Sequence, residues 1–194
     1  MVNSNRKGGA GERELVTEAN IHLGAQHNTE FHRNTYNQRR EAGHSDLICD
    51  DPRFPFAIES KREKSGSFKQ KWMDQAVEAG KKSQKFPVVA YRFDRKQWRV
   101  VMRLGDLMKM YQGNDADFND LNADLVTVSL PTFLKIADEI FSDVKRDPQR
   151  FAPRKCDKCD GSGEIEKLLQ DPSGFPFEID FMAPCETCGG VGLC

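Results

Sequence analysis

The segment Ile58-Glu59-Ser60-Lys61 lies in a run, Phe56–Lys61, that reads as a β-strand. Residues two apart on a strand project to the same face, so Glu59 and Lys61 point together. Charged side chains on the inward face of a strand are costly to bury unless something pairs with them. The strand must therefore sit where one face reaches a polar site, and a bound metal is a good reason for such a site. A carboxylate there can hold Mg²⁺, while the lysine beside it orients a water or balances charge. Two more carboxylates, Glu12 and Asp46, fall in the same third of the chain. Three acids and a lysine in this order suit metal-dependent phosphodiester chemistry.

The 194 residues allow one full domain and a small one. The residues Met1 to Gly9 are polar and show no apolar core of a signal peptide, and no apolar run approaches the roughly 20 residues of a membrane span. A cytoplasmic protein with no membrane partner is expected. The net charge of −1 conceals an asymmetry. Residues 1–100 carry 19 Lys+Arg against 13 Asp+Glu, while the remainder carries 10 against 17. The basic half holds the carboxylate–lysine set, the arrangement expected if that half meets a polyanion.

Helical spacing of Leu15, Val16, Ala19 and Leu23 predicts a helix over about Gly8 to Leu23, with Glu12 on its apolar stripe and Glu14 facing elsewhere. Short strands are expected near Thr29–Arg33 and at His44–Cys49, the second carrying Asp46. The turn Asp50–Pro55 then leads into Phe56–Lys61, so Asp46 and Glu59 would sit on two arms of a hairpin. A helix over Gln70–Ser83, strands at Phe86–Phe93 and Gln97–Arg103, a short helix Leu104–Tyr111, a strand Leu125–Ser129 and a closing helix Pro131–Val144 follow. This is an α/β or α+β pattern, a central sheet with flanking helices. The acidic stretch Gly113–Asp124 reads as a loop. The four histidines, His22, His27, His32 and His44, show no metal-ligand spacing. Cys49 reads as a core residue.

Residues 148–194 form a second unit after a domain spanning 1–147. Its segment beyond the charged, Pro-containing linker Lys145–Lys155 has roughly 40 residues, too few to build a core without a staple. Cys156-Asp157-Lys158-Cys159 and Cys185-Glu186-Thr187-Cys188 supply one: two C-x-x-C pairs separated by 25 residues. Each pair offers two thiolates from one tight turn, and four make a tetrahedral structural Zn²⁺ site. A disulfide pair fits poorly in a reducing cytoplasm. Glu164–Leu169 and Phe177–Phe181 are expected to pair as a hairpin between the knuckles. Cys194 reads as a free terminal thiol. The strings C-D-K-C-D-G-S-G and C-E-T-C-G-G-V-G resemble the C-x-x-C-x-G-x-G repeats of DnaJ-type zinc domains, here in a single zinc's worth and without a J-domain signature.

The run Arg6-Lys7-Gly8-Gly9-Ala10-Gly11-Glu12-Arg13-Glu14-Leu15-Val16 resembles the N-terminus of archaeal-type Holliday-junction resolvases, members of the PD-(D/E)xK nuclease superfamily. The likeness continues through Ser45-Asp46-Leu47-Ile48, Ile58-Glu59-Ser60-Lys61, Asp74-Gln75-Ala76 and Pro87–Phe93. It implies a restriction-endonuclease-like fold with a central mixed β-sheet flanked by helices. It further implies that Glu12 is the helix glutamate of the site and that Asp46 and Glu59 bind Mg²⁺ (or Mn²⁺), with the Ser60 carbonyl as a further ligand. Lys61 would be the catalytic lysine and Gln75 a supporting helix glutamine. Candidate phosphate contacts are Arg6, Lys7, Arg13, Arg39, Arg40, Arg62, Lys64, Lys69 and Lys71.

The first expectation is a Mg²⁺-dependent endodeoxyribonuclease that resolves four-way DNA junctions as a homodimer, with the zinc module binding branched DNA or a partner protein. A nuclease of the same fold acting on DNA ends, flaps or linear duplex is the second. A non-catalytic, zinc-organised DNA-binding adaptor is the third, disfavoured by the intact acid–acid–lysine set.

Overall fold

A computed structural model describes residues 4–35, 44–112, 121, 123–147, 164–169 and 179–184. Helix α1, Ser4–Ala19, runs on through a π-helical turn, Asn20–Gly24, into a last helical turn, α2, Ala25–His27. Its buried residues Leu15, Ala19 and Leu23 recur every four positions. A stripe of that spacing drifts around an ordinary 3.6-residue helix. The wider π turn keeps Leu23 in line with the other two. Asn20, at the start of that turn, pins the next strand. Its amide donates to the Phe31 carbonyl at 3.0 Å and accepts from the Phe31 N–H at 2.8 Å. The side chain thus satisfies backbone groups on the outer edge of β1, Phe31–Arg33.

β1 pairs antiparallel with β2, Leu47–Cys49, with Arg33 opposite Leu47. The main sheet has the order β3-β4-β5-β6. β3 (Phe56–Glu63) and β4 (Phe86–Phe93) are parallel, joined by helix α3 (Gln70–Ser83). β5 (Arg99–Arg103) and β6 (Leu125–Ser129) continue it antiparallel, with helix α4 (Leu104–Gln112) between them in the chain. The expected mixed sheet with flanking helices is what forms. The expected hairpin of Asp46 and Glu59 is not a paired ladder: β2 belongs to the small sheet. A backbone hydrogen bond from the Asp46 N–H to the Ile58 carbonyl, 2.9 Å, joins the two segments. β3 takes β4 as its ladder partner because a long apolar strand buried on both faces favours parallel pairing across a covering helix.

The sheet has two cores. Phe56, Ile58, Val88, Ala90, Val100 and Met102 face α1 and α5 (Leu130–Arg146). Val89 and Val101 face Trp72, Met73 and Ala76 of α3. In α5, Phe133, Leu134, Ala137, Ile140, Phe141 and Val144 form one buried stripe, and Ser129 caps the helix by accepting from the Thr132 N–H at 3.2 Å. Phe31, Phe54, Phe56, Phe133 and Phe141 meet edge-on with centroids 4.9–5.5 Å apart, locking α5 to the sheet. Cys49 is buried, as expected of a core residue. None of the helices among the described residues is long and apolar enough to cross a membrane.

The chain divides into two compact units, Met1–Phe151 and Ala152–Cys194. In the second, β7 (Glu164–Leu169) pairs antiparallel with β8 (Ile179–Pro184), a hairpin whose second arm begins two residues later than Phe177. Cys156, Cys159, Cys185, Cys188 and Cys194 lie outside the described residues, as do Arg39, Arg40 and most of the acidic stretch 113–124.

The end of α3 depends on two backbone choices. Gln84 adopts a left-handed conformation, φ 55°, and the Lys85 N–H returns to the Gly80 carbonyl at 2.9 Å. A Cβ on Gly80 would stand 2.6 Å from the Lys85 carbonyl oxygen. Gly80→Ala should therefore cost about 1–3 kcal/mol through backbone displacement. Gln84→Gly should gain about 0.5–1 kcal/mol by relieving the left-handed strain. Urea titrations of both variants against wild type check the opposite signs.

Candidate active site

β3 alternates strictly. Phe56 and Ile58 enter the core under α1 and α5, while Glu59 and Lys61 take the opposite face, with Val89 and Tyr91 as their register partners on β4. Glu59 is only 8% exposed and forms a close ion pair with Lys61. Asp46, also 8% exposed, accepts the Ser60 N–H at 2.6 Å. Its backbone is fixed on both sides: the N–H by Ile58, and the carbonyl by the Asn34 N–H at 2.9 Å. Asn34 is itself buried, and its amide donates to the Ser45 carbonyl at 2.9 Å. Asp46 is thereby held at the edge of β3.

The electrostatics follow from that confinement. Burial, then the negative charge of Glu59, push the Asp46 carboxyl up to about 7; the Ser60 N–H and Lys61 oppose this, and Glu12 adds to it. Burial also raises Glu59, against the attraction of Lys61, and Glu12 again contributes. The structure thus brings Glu12, Asp46, Glu59 and Lys61 within one another's fields. Glu12 is half-buried on α1 and is gripped by Arg33, whose Nε and Nη2 donate to its Oε2 at 2.8 and 2.6 Å. Gly11 allows α1 to approach: a Cβ there would lie 3.3 Å from the Arg62 Cβ and 3.4 Å from the Trp98 ring.

Gln75 is exposed on α3. Its helix covers the sheet face that carries Glu59 and Lys61, but Trp72, Met73, Ala76 and Ala79 form its buried side. Arg33 was missed by sequence reasoning. The signal was available: Phe31 must be buried, so strand alternation places Arg33 inward with it, toward α1. Glu14 also does more than face elsewhere. Its Oε1 accepts from Arg92 Nη1 at 2.5 Å and from the Trp98 indole at 3.0 Å. Two expected phosphate contacts are already engaged, Lys69 with Glu63 at 2.5 Å and Arg62 near Asp94 at 3.8 Å.

Asp46 and Glu59 are hard oxygen donors, both buried, and this donor set fits a divalent cation such as Mg²⁺. A second cluster is exposed. Among the described residues, Glu30, His32 and Asp50 bring three ligand atoms within 4.8 Å of one another. They escaped notice because antiparallel pairing of β1 and β2, and not sequence spacing, unites them. His27 is a core residue, with Nε2 2.8 Å from Asp138.

A family model described as "Phage putative PDDEXK endonuclease" matches residues 3–140. The chain belongs to that family. Family membership makes it a hydrolytic endonuclease by class, and the matched span contains Glu12, Asp46, Glu59 and Lys61. Among solved structures, the chain is similar to Hjc, a Holliday junction resolvase of the archaeal hyperthermophile Archaeoglobus fulgidus. Identity is 16% and the TM-score 0.42, over 66% of this chain and 96% of that one. Among curated proteins none matches.

The raised Asp46 carboxyl has a stability consequence. Its proton is held more tightly folded than unfolded between pH 3.8 and about 7. The stabilisation is therefore full below the lower value and is lost as pH rises through the upper one. In EDTA, Asp46→Asn, which carries no charge to bury, should melt several degrees above wild type at pH 8. At pH 4 the two should be nearly equal. Calorimetry across this range gives the comparison, and a constant difference at all pH values would contradict it.

Proposed function

We propose that the chain is a Mg²⁺-dependent endodeoxyribonuclease that hydrolyses phosphodiester bonds in branched DNA, with four-way junctions as the preferred substrate. The observation that carries the reading is the burial of Asp46 and Glu59 side by side at the β3 edge with Lys61 on the same face. The family match supports the nuclease class; preference for branched DNA rests on the N-terminal sequence resemblance.

Asp46 and Glu59 would hold Mg²⁺ or Mn²⁺, with the Ser60 carbonyl as a further oxygen. When bound, the ion supplies charge to polarise the scissile phosphate and to lower the pKa of a water. Lys61, anchored by Glu59, stands where it can orient that water and balance charge developing on the phosphate. Ser60 holds Asp46 through its backbone N–H, so the carboxylate keeps one orientation. Glu12, aimed by Arg33, brings a third carboxylate to the edge of the site. Gln75 would support the site from α3. Cutting two strands symmetrically favours a homodimer with two such sites. Cys156, Cys159, Cys185 and Cys188 would hold a structural Zn²⁺ that organises the second unit for branched DNA or a protein partner. A cytoplasmic location would suit such an enzyme.

Labelled four-way junction, flap, linear duplex and single strands, incubated with Mg²⁺ or EDTA, test the reading. Paired symmetric nicks on the junction, absent in EDTA and reduced about a hundredfold or more in Glu59→Gln and Lys61→Met, are expected. Equal cleavage of flap or linear DNA would replace the junction preference with an end- or flap-directed nuclease. Absence of Mg²⁺-dependent cleavage, with wild type and Glu59→Gln alike, would leave a DNA-binding adaptor.

The zinc assignment has its own measurement. Protein purified under reducing conditions should contain close to one zinc per chain by elemental analysis, falling to near zero in Cys156→Ser/Cys185→Ser. A wild-type content well below one refutes the site.

A further inference from the structure

The sheet row that begins at Lys61 does not end there. Lys61 is in register with Tyr91 on β4, and Tyr91 with Arg99 on β5, so the three project from one face. Strands lie about 4.8 Å apart, so Tyr91 is the immediate neighbour of the lysine. Beyond it lies a cavity of about 330 Å³ lined by Tyr91, Phe93, Lys96, Gln97 and Arg99. That size is at the small end of the roughly 300–1,000 Å³ found for ligand pockets.

The lining has a definite chemistry. Tyr91 and Phe93 are half-buried, their rings 5.6 Å apart and edge-on. Phe68 and Trp72 hold Tyr91 from the α3 side, with centroids at 5.7 and 5.9 Å and tilted planes. Tyr91 is thus a rigid aromatic with no parallel-stacked ring partner among these contacts. Lys96 and Arg99 are exposed at the rim, and among the described residues neither makes an ion pair, in contrast to Lys69, Arg62 and Arg92 close by. Arg95 adopts φ 63° in the β4–β5 turn, and the Lys96 N–H closes that turn on the Phe93 carbonyl at 3.0 Å, which fixes where Lys96 leaves the backbone. Gln97 adds an amide with both donor and acceptor groups.

We propose that this pocket receives one nucleotide that leaves the base stack at the branch of the DNA substrate, its base stacked on Tyr91 with Phe93 against its edge and its phosphates met by Arg99 and Lys96. The proposal rests on the DNA-nuclease reading above and deepens it. Aromatic rings flanked by cations match a nucleobase and its phosphates, and stacking tolerates any base. A base inside a duplex has both faces covered by its neighbours and cannot enter, so the pocket selects DNA that offers an unstacked nucleotide. Its position one strand from Lys61 sets that nucleotide close to the bond to be cut.

Fluorescence anisotropy in EDTA tests the pocket without cleavage. The three probes are a paired duplex, the same duplex with a single-nucleotide bulge, and that bulge made abasic. Wild type should bind the bulged duplex about tenfold more tightly than the paired one, and the abasic bulge should lose that gain. In Tyr91→Leu and in Arg99→Ala the bulged-to-paired ratio should fall toward one. Circular dichroism checks that each variant folds; should Tyr91→Leu fail to, the exposed Arg99→Ala decides. Equal binding of all three DNAs by wild type overturns the proposal and leaves the pocket to a protein segment or a second copy of the chain. A preference that survives abasic substitution, or persists in the folded variants, overturns it too. Cleavage of the same DNAs with Mg²⁺ reads the nuclease proposal separately. Cleavage without a bulge preference removes only the pocket, whereas a bulge preference without cleavage removes only the nuclease.

Discussion

Two carboxylates buried side by side at a sheet edge are the constraint around which the first unit is organised. Asp46 and Glu59 are each only 8% exposed; burial raises the proton affinity of both, and the charge of Glu59 raises that of Asp46 further. An apolar chain of the same shape would avoid that repulsion. Its neighbours act to contain it: Lys61 pairs with Glu59, and the Ser60 N–H donates to Asp46. Glu12 adds its negative field from α1, where Arg33 grips it. Burying these acids costs folding stability, and under the proposed function a bound cation would offset that cost.

The surround is stiff because its parts are tied at the backbone. Asp46 is bonded at its N–H to β3 and at its carbonyl to Asn34, and the Asn34 side chain holds Ser45. β1, which presents Arg33, is fixed to the π-helical turn that continues α1 by the two-way amide contact of Asn20 with Phe31. The helix carrying Glu12 and the strand carrying its partner arginine are therefore tied to each other at two points. Gly11 lets that helix lie against Arg62 and Trp98, a distance a larger residue would open.

Much of this is legible in the sequence alone. The strand expected at 56–61 and observed to reach Glu63, the helix at 70–83 and the strand at 86–93 follow from apolar runs and helical spacing, which report burial directly. The inward pairing of Glu59 and Lys61 follows from strand alternation alone. What periodicity cannot report is partnership. Nothing local says that β3 takes β4 as a parallel neighbour and not the segment of Asp46, since that choice is made by α3 covering the sheet. The same blindness hid Arg33, Glu14 and the Glu30–His32–Asp50 cluster, whose members meet only across strands or between helix and sheet. The cysteine module is the reverse case. Its pattern is explicit in the sequence, and its four thiols lie outside the described residues.

The basic excess of residues 1–100 also changes meaning once partners are known. Arg33, Arg53, Lys61, Lys69 and Arg92 are each committed to a carboxylate within 3 Å, so they contribute little outward field. The cations left to act on a polyanion are exposed ones such as Lys96 and Arg99, and these stand at the end of the same sheet row that begins with Lys61. Net charge by itself would attract any nucleic acid alike. A row running from buried acids through lysine and aromatic ring to exposed cations is directional, and under the proposed function selectivity for DNA shape would depend on that order along the sheet.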